Sequence, residues 1–499
     1  MPPKKKKTTS VSKPEVEANV QIEGSENVVA VGPKSIAANI KVIFQGNWKP
    51  FAVVLAVVAL LLGAILWYVI PRKEATMTKQ FNVAVAEFLV QDANGKSISG
   101  KDGNMLAGYV SHEIETQFAA MELEKSISYQ VWGPDETGII KGNTPEERAF
   151  AAEDLAKKIN AYILIYGVIV MDGEKSKFQP EFYVNHASFR DASEITGSHE
   201  IGRQLALTLP FQGIQGAENP ALVGRVRALN LITMGLAYYS MDRFDDALTY
   251  FQKAADEKDW VGAGREVVYL LIGNAYVRKD SQIQDFADLP LAEENYKLAL
   301  ENNPDYGRAM IGEANVLYLQ ASRDKNNCDL AGLEQASALL DQALALTDQP
   351  ASANIETKVH FYRGQIALIR NACNQTDQDW MATAQDEFTW VVKQYESLKQ
   401  NSGNYEGLQS LASHAYARLG YVDYKRGNFD AAIAWVQKAV EIASPYYQGY
   451  YASMMGDIYT AAGKKEEAAQ AYNDAIALAE QYADAASLKT YQAKLDALK

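Results

Sequence analysis

The chain has 499 residues, 48% of them apolar and 10% aromatic, and a net charge of −14. Those are globular values with material for more than one core, which excludes a wholly disordered or fibrous chain. The charge is uneven: residues 1–73 hold ten Lys or Arg against four Glu, a net of +6, so residues 74–499 carry −20. Such a body is repelled by nucleic acid and anionic lipid, and no nucleic-acid partner is expected.

Residues 1–17 are rich in Lys, Pro, Ser and Thr and read as a disordered basic tail. Lys4 to Lys7 are a solvated run that bears on topology, or a patch for an anionic leaflet, where each Lys near the surface contributes about 1 kcal/mol. In residues 18–47 short β-favouring runs alternate with Gly-Ser-Glu-Asn and Gly-Pro-Lys-Ser. This stretch resembles short Gly-Asn-Val elements that precede membrane spans or effector domains in some bacterial proteins. It is too short for a core of its own. It reads as an exposed hairpin, or as an element that stacks between copies and builds a homo-oligomer.

Residues 51–70, FAVVLAVVALLLGAILWYVI, carry no charge and lie between Pro50 and Pro71. As a helix they measure about 30 Å, the thickness of a bilayer's hydrocarbon core, so one transmembrane helix is expected. The run lies far from the amino terminus and no small-x-small cleavage site follows it, which fits an uncleaved anchor. Lys34, Lys41 and Lys49 before it balance Arg72, Lys73 and Lys79 after it. The distant tetralysine tips the expectation to a cytoplasmic amino terminus and an exported body.

Residues 79–205 predict a small α/β domain. FNVAVAEFLV (81–90) is a buried-type strand, and Leu106, Val110, Ile114, Phe118 and Met121 form one helical stripe. ISYQVW (127–132) is a second strand. Thr144-Pro145-Glu146-Glu147 is a capping box opening a helix to about Asn160. AYILIYGVIV (161–170) and FQPEFYVNHASF (178–189) complete the order β-α-β-α-β-β, expected as a sheet with helices on one face. The strand VAVAEF, the helix pair, and Ile159-Asn160-Ala161 running into Leu164-Ile165-Tyr166-Gly167 resemble the amino-terminal domain of the TolB-like group. Pro180 to Val184 and Glu194-Ile195-Thr196-Gly197 resemble a set of membrane-anchored proteins of filamentous green bacteria (Chloroflexota) with carboxy-terminal helical repeats. The resemblance implies architecture and location and assigns no chemistry.

From Arg225 the chain repeats itself. Gly235, Tyr238, Ala247, Phe251 and Ala254 fill every slot of the tetratricopeptide pattern, and further hits start at Gly273, Gly312, Gly364, Gly420 and Gly456. About six repeats over 225–484, with 485–499 as a capping helix, predict an all-α solenoid. The fold class is therefore α+β and multidomain. Cys328 and Cys373 lie in long polar loops of the third and fourth repeats. They are idle thiols or a disulfide of an oxidising compartment, and stacking of adjacent repeats favours the bridge.

Catalytic signatures are sparse. Gly95-Lys96-Ser97-Ile98-Ser99-Gly100-Lys101-Asp102 has phosphate-loop spacing, but Asp102 stands where a magnesium-binding hydroxyl is needed, so it reads as a polar loop. The five histidines are scattered, and neither cysteine has one beside it. No catalytic, metal or cofactor residue is assigned, and no enzyme is expected. The concave face of the solenoid is the better candidate. Register on the repeat glycines directs Tyr239, Asn274, Gln365, Tyr421, Tyr424 and Asp457 into it. The 28 tyrosines suit peptide recognition or the filling of repeat interiors. The leading expectation is a single-pass membrane scaffold holding a protein or peptide partner in the repeat groove. A nucleotide- or ligand-sensing α/β domain and a structural cell-envelope component are the alternatives.

Overall fold

The computed structural model describes residues 76–499 apart from 121–126, 173–174, 190–191, 212–218, 261–263, 284–285, 324–327, 348, 402–404, 483 and 499. The expected tail (1–17), β-rich element (18–47) and membrane helix (51–70) lie outside the described residues. Among the described residues no helix is long and apolar enough to cross a membrane.

The first part of the described chain is a seven-stranded mixed sheet. β1 (Phe81–Val85) runs parallel to β3 (Tyr129–Trp132) on one side and to β4 (Ile163–Asp172) on the other. β2 (Leu89–Asp92) continues along β4, so the expected strand 81–90 is divided at Ala86–Phe88. β5 (Lys175–Val184) is antiparallel to β4, and β6 (Gly197–Glu200) and β7 (Leu205–Leu207) pair with β5.

Two long helices, α1 (Asp102–Ala120) and α3 (Pro145–Ile159), flank the one-turn α2 (Pro134–Thr137). Of the predicted stripe, Leu106, Val110, Ile114 and Phe118 of α1 are all buried, and Met121 lies outside the described residues. Thr144 caps α3 by accepting from the Glu147 amide at 3.2 Å, while the Glu147 carboxylate accepts from Asn143, one residue before the cap. Asn160, at φ 60°, ends the helix.

The helices do not share a face. The α1 stripe packs with Phe81, Val83, Val85, Ile163 and Ile165. Ala152, Ala156 and Ile159 of α3 pack with Ala84, Ala86, Leu164 and Tyr166. Alternate strand residues point to opposite faces. The strand order β3-β1-β4 sends the two crossovers in opposite directions, and crossovers of one hand then place their helices on opposite faces. On the α3 face, Arg148 and Glu181 are 4% and 1% exposed and bond to each other, with Nε to Oε2 at 3.1 Å.

Six helix pairs follow: α4 (Pro220–Tyr239) with α5 (Phe244–Ala255), α6 (Glu266–Ile283) with α7 (Leu289–Asn302), α8 (Gly307–Ser322) with α9 (Leu330–Ala345), α10 (Ile355–Ala372) with α11 (Trp380–Gln400), α12 (Glu406–Lys425) with α13 (Phe429–Ile442), and α14 (Pro445–Ala461) with α15 (Lys465–Gln481). α16 (Ala485–Asp496) packs on α15. The repeat glycines exist for close approach. A Cβ on Gly235 would lie 2.3 Å from the Phe251 ring, and one on Gly456 would lie 2.4 Å from Tyr472. Cys328, just before α9, and Cys373, at the end of α10, form a disulfide with Cα atoms 6.0 Å apart.

Sheet and solenoid share one core. Phe178, Phe182, Ile195 and Ile201 belong to the same apolar cluster as Leu222, Leu229, Ile232 and Trp260 of the first repeats.

Candidate functional site

The near end of the repeat groove is occupied by the chain itself. The segment leaving β5 and entering β6 lies against the first helices of the repeats. Arg308 of α8, 5% exposed, donates to the Thr196 carbonyl at 2.8 Å and more weakly to those of Glu194 and Ser198. Lys358 of α10 donates to the Ser193 carbonyl at 2.8 Å. Tyr239 of α4 donates to the Glu194 carboxylate at 2.6 Å. Further along, Lys157 of α3 pairs with Glu406 of α12 at 3.0 Å. The irregular segment would otherwise bury carbonyls without donors, and the solenoid supplies those donors.

The electrostatics follow from this burial. Desolvation first, then repulsion from Arg308, lowers the Lys358 pKa to about 7, with Glu194 acting in the opposite direction. Burial, with the Lys358, Arg308 and Lys157 charges added, pushes His186 down to about 3. His199 is likewise lowered, and its Nε2 bonds to the Ile195 carbonyl at 2.7 Å. Both imidazoles are therefore neutral packing groups at pH 7.

Three of the six residues predicted for the groove are not on an open surface. Tyr239 is 2% exposed and engaged by Glu194. Asn274 lies inside its repeat, where Oδ1 accepts from the Tyr296 hydroxyl at 2.6 Å. Gln365 is 7% exposed. Sequence register found the right helices but not what covers them.

The other three meet at the far end. Tyr421 and Tyr424 of α12 and Asp457 of α14 line a cleft of about 870 Å³ between α12, α14 and α16. Within it Asp457 accepts from Lys494 of α16 at 2.7 Å and from the Tyr472 hydroxyl at 2.8 Å. Tyr450 also lines it, as do Arg418 and Lys494, which were missed from sequence. Arg418 was within reach, one turn before Tyr421 on the same helical face. Lys494 was not, because its place depends on how the cap docks. His414 bonds through Nδ1 to the Tyr451 hydroxyl, and burial, then Arg418 and Arg278, lowers it to about 3. The cleft is thus aromatic-walled, with one internal ion pair and a neutral imidazole.

The phosphate-loop candidate is closed by its own chemistry: the Asp102 carboxylate at the start of α1 accepts from the Phe211 amide at 2.6 Å. Among the described residues no three His, Cys, Asp or Glu side chains converge as metal ligands.

Residues 326–499 match the tetratricopeptide repeat-like domain family. The upstream helix pairs carry the same small and aromatic positions, as at Gly235 and Phe251. The helices of residues 326–499 are therefore similar to tetratricopeptide repeats. No curated protein matches the chain in sequence. Among solved structures, a tetratricopeptide repeat protein from Parabacteroides merdae is 12% identical, with 57% of this chain and 90% of that chain covered and a TM-score of 0.36. Pseudomonas aeruginosa pilF is 14% identical, with 55% and 99% covered and a TM-score of 0.33. The TPR2AB domain of yeast Sti1, solved in a pHSP90 complex, is 14% identical, with 54% and 98% covered and a TM-score of 0.21.

Proposed function

We propose that the chain is a single-pass membrane scaffold that holds a partner polypeptide in the cleft at the carboxy-terminal end of its repeats. The observation that carries this is the division of the groove. Its near half is filled by the β5–β6 segment, whereas its far half is open and aromatic. The hydroxyls of Tyr421 and Tyr424 make no hydrogen bond among the described residues. Tyrosines with unused hydroxyls offer contact area and a polar tip at small entropic cost.

Membrane attachment through residues 51–70 is part of the proposal, as is an exported body. The Cys328–Cys373 disulfide supports the latter, since such bonds persist in oxidising compartments.

A photo-crosslinking residue at position 424, in cells making the full chain, tests the cleft. A discrete adduct at 424, absent with the probe at the convex, exposed Glu441 and lost when Tyr450→Ala is added, is the expected result. Identical adducts from both positions would remove the cleft reading. Impermeant thiol labelling tests the topology: Cys328 and Cys373 should react in intact cells only after reduction. Reaction without reductant, and only in lysed cells, would place the body in the cytoplasm.

A further inference from the structure

The strongest unassigned feature of the molecule is the charge left over in this cleft. Its charged side chains are Arg418, Asp457 and Lys494. Asp457 and Lys494 satisfy each other at 2.7 Å, with Tyr472 completing the carboxylate. Arg418, half-buried, makes no hydrogen bond or ion pair among the described residues. The neighbouring His414 is neutral and adds no second positive charge. A half-buried guanidinium with no carboxylate bonded to it, set among aromatic side chains, is a ready partner for an anionic group of a ligand.

The same array shows what satisfies it. In the first repeat Tyr239 stands four residues after Gly235, and its hydroxyl donates to the Glu194 carboxylate at 2.6 Å. Tyr424 stands four residues after Gly420, the corresponding position of the fifth repeat, with its hydroxyl unused. Arg278 supplies positive charge near Glu194; Arg418 supplies it in the cleft. Arg418, Tyr421 and Tyr424 follow at three-residue spacing on one helical face, within about 9 Å of axis. The near groove thus holds an irregular segment with an acidic side chain, whereas in the far cleft the carboxylate present, Asp457, is taken by Lys494 and Tyr472, and Tyr424 and Arg418 have no acid bonded to them.

We propose that the cleft recognises an extended segment of a partner polypeptide through an Asp or Glu side chain, which pairs with the Arg418 guanidinium and takes hydroxyl donors from Tyr421 and Tyr424. This rests on the reading of the cleft as a polypeptide site. The carboxylate completes Arg418 as Glu194 completes Tyr239, and the tyrosine rings cover the flanking residues. An acidic side chain therefore decides which segments bind, and an amide in its place leaves the guanidinium desolvated and unpaired.

The probe is a phage-displayed library of random twelve-residue peptides, selected on the full chain in detergent. Peptides whose binding is lost with Tyr424→Ala are the cleft binders. They are expected to share an Asp or Glu whose replacement by Asn or Gln weakens binding roughly ten- to a hundredfold. Arg418→Gln should produce the same loss for the acidic peptide and little further loss for its amide form, a non-additive cycle. Arg418→Lys should fall between, and an unchanged melting temperature for both variants shows that folding is intact. Cleft binders without an acidic residue, or an additive cycle, would overturn the proposal while leaving the cleft as a polypeptide site. If no selected peptide responds to Tyr424→Ala, the site itself is wrong and the acidic preference falls with it.

Discussion

Lys358→Met separates two effects at the buried joint between the sheet and the solenoid. Lys358 is 6% exposed, and burial followed by Arg308 lowers its pKa from 10.5 to about 7. A depressed lysine gives its full stability only above the unfolded value, near pH 10.5, and loses it as pH falls towards 7. The shift corresponds to about 5 kcal/mol withheld from folding at pH 7 and below, an upper figure at about 1.4 kcal/mol per unit. Against this stands the bond from Nζ to the Ser193 carbonyl at 2.8 Å. Orphaning that carbonyl costs about 1–3 kcal/mol. Methionine is close in volume and packs in the same space. The variant should therefore be more stable than the parent by about 2–4 kcal/mol at pH 6–7, and less stable by about 1–3 kcal/mol near pH 10.5. Chemical unfolding of both proteins at four pH values, with the disulfide intact, measures the difference. A difference that does not change between pH 6 and 10.5 would refute the buried, neutralising lysine.

Other perturbations have separate readouts. Arg148→Leu leaves Glu181 buried without its partner and should cost about 3–5 kcal/mol, whereas Arg148→Leu with Glu181→Leu should recover most of the loss in the same unfolding assay. Gly235→Ala drives a methyl to 2.3 Å from the Phe251 ring and should destabilise by about 1–3 kcal/mol. Gly108→Ala, on α1 where a Cβ meets nothing within 4 Å, should instead stabilise by about 0.5–1 kcal/mol, as read from melting temperatures. The Cys328–Cys373 bond closes a 45-residue separation, so reduction should cost about 4 kcal/mol on the loop-entropy scale. An unchanged melting temperature in reductant would show that the bond does not constrain the unfolded chain.

Much of the fold was legible because its signals are local. The α1 stripe at Leu106, Val110, Ile114 and Phe118 needs only helical period, and the α3 start needs only Thr144, Pro145 and Glu147. The repeats announce themselves through glycines whose partners stand a fixed distance along the chain, as Gly235 and Phe251 do. The candidate site was half legible. Tyr421, Tyr424 and Asp457, named by register, come together on one cleft, while Arg418 needed the same face read one turn further back. Asn274 was misplaced because register on the glycine does not separate a side chain facing the groove from one facing the next helix.

By itself the sequence determined the long helices, the mixed sheet domain ahead of the helical repeats and the residues that let repeat helices touch, because periodicity and close approach are properties of neighbours along the chain; it did not show the break in the first strand or the short strands β6 and β7. Only the tertiary structure decided that α1 and α3 lie on opposite faces of the sheet, since this depends on the order β3-β1-β4. It alone decided that the segment around Glu194 fills the near groove, with Arg308 and Lys358 reaching carbonyls more than a hundred residues earlier in the chain. Such contacts leave no periodic trace, because any irregular segment with free carbonyls would satisfy the same donors. The open cleft at Tyr421, Tyr424 and Asp457 is what remains of the concave face after that occupation, and its unpaired Arg418 is visible only once the partners of the other charges are in place.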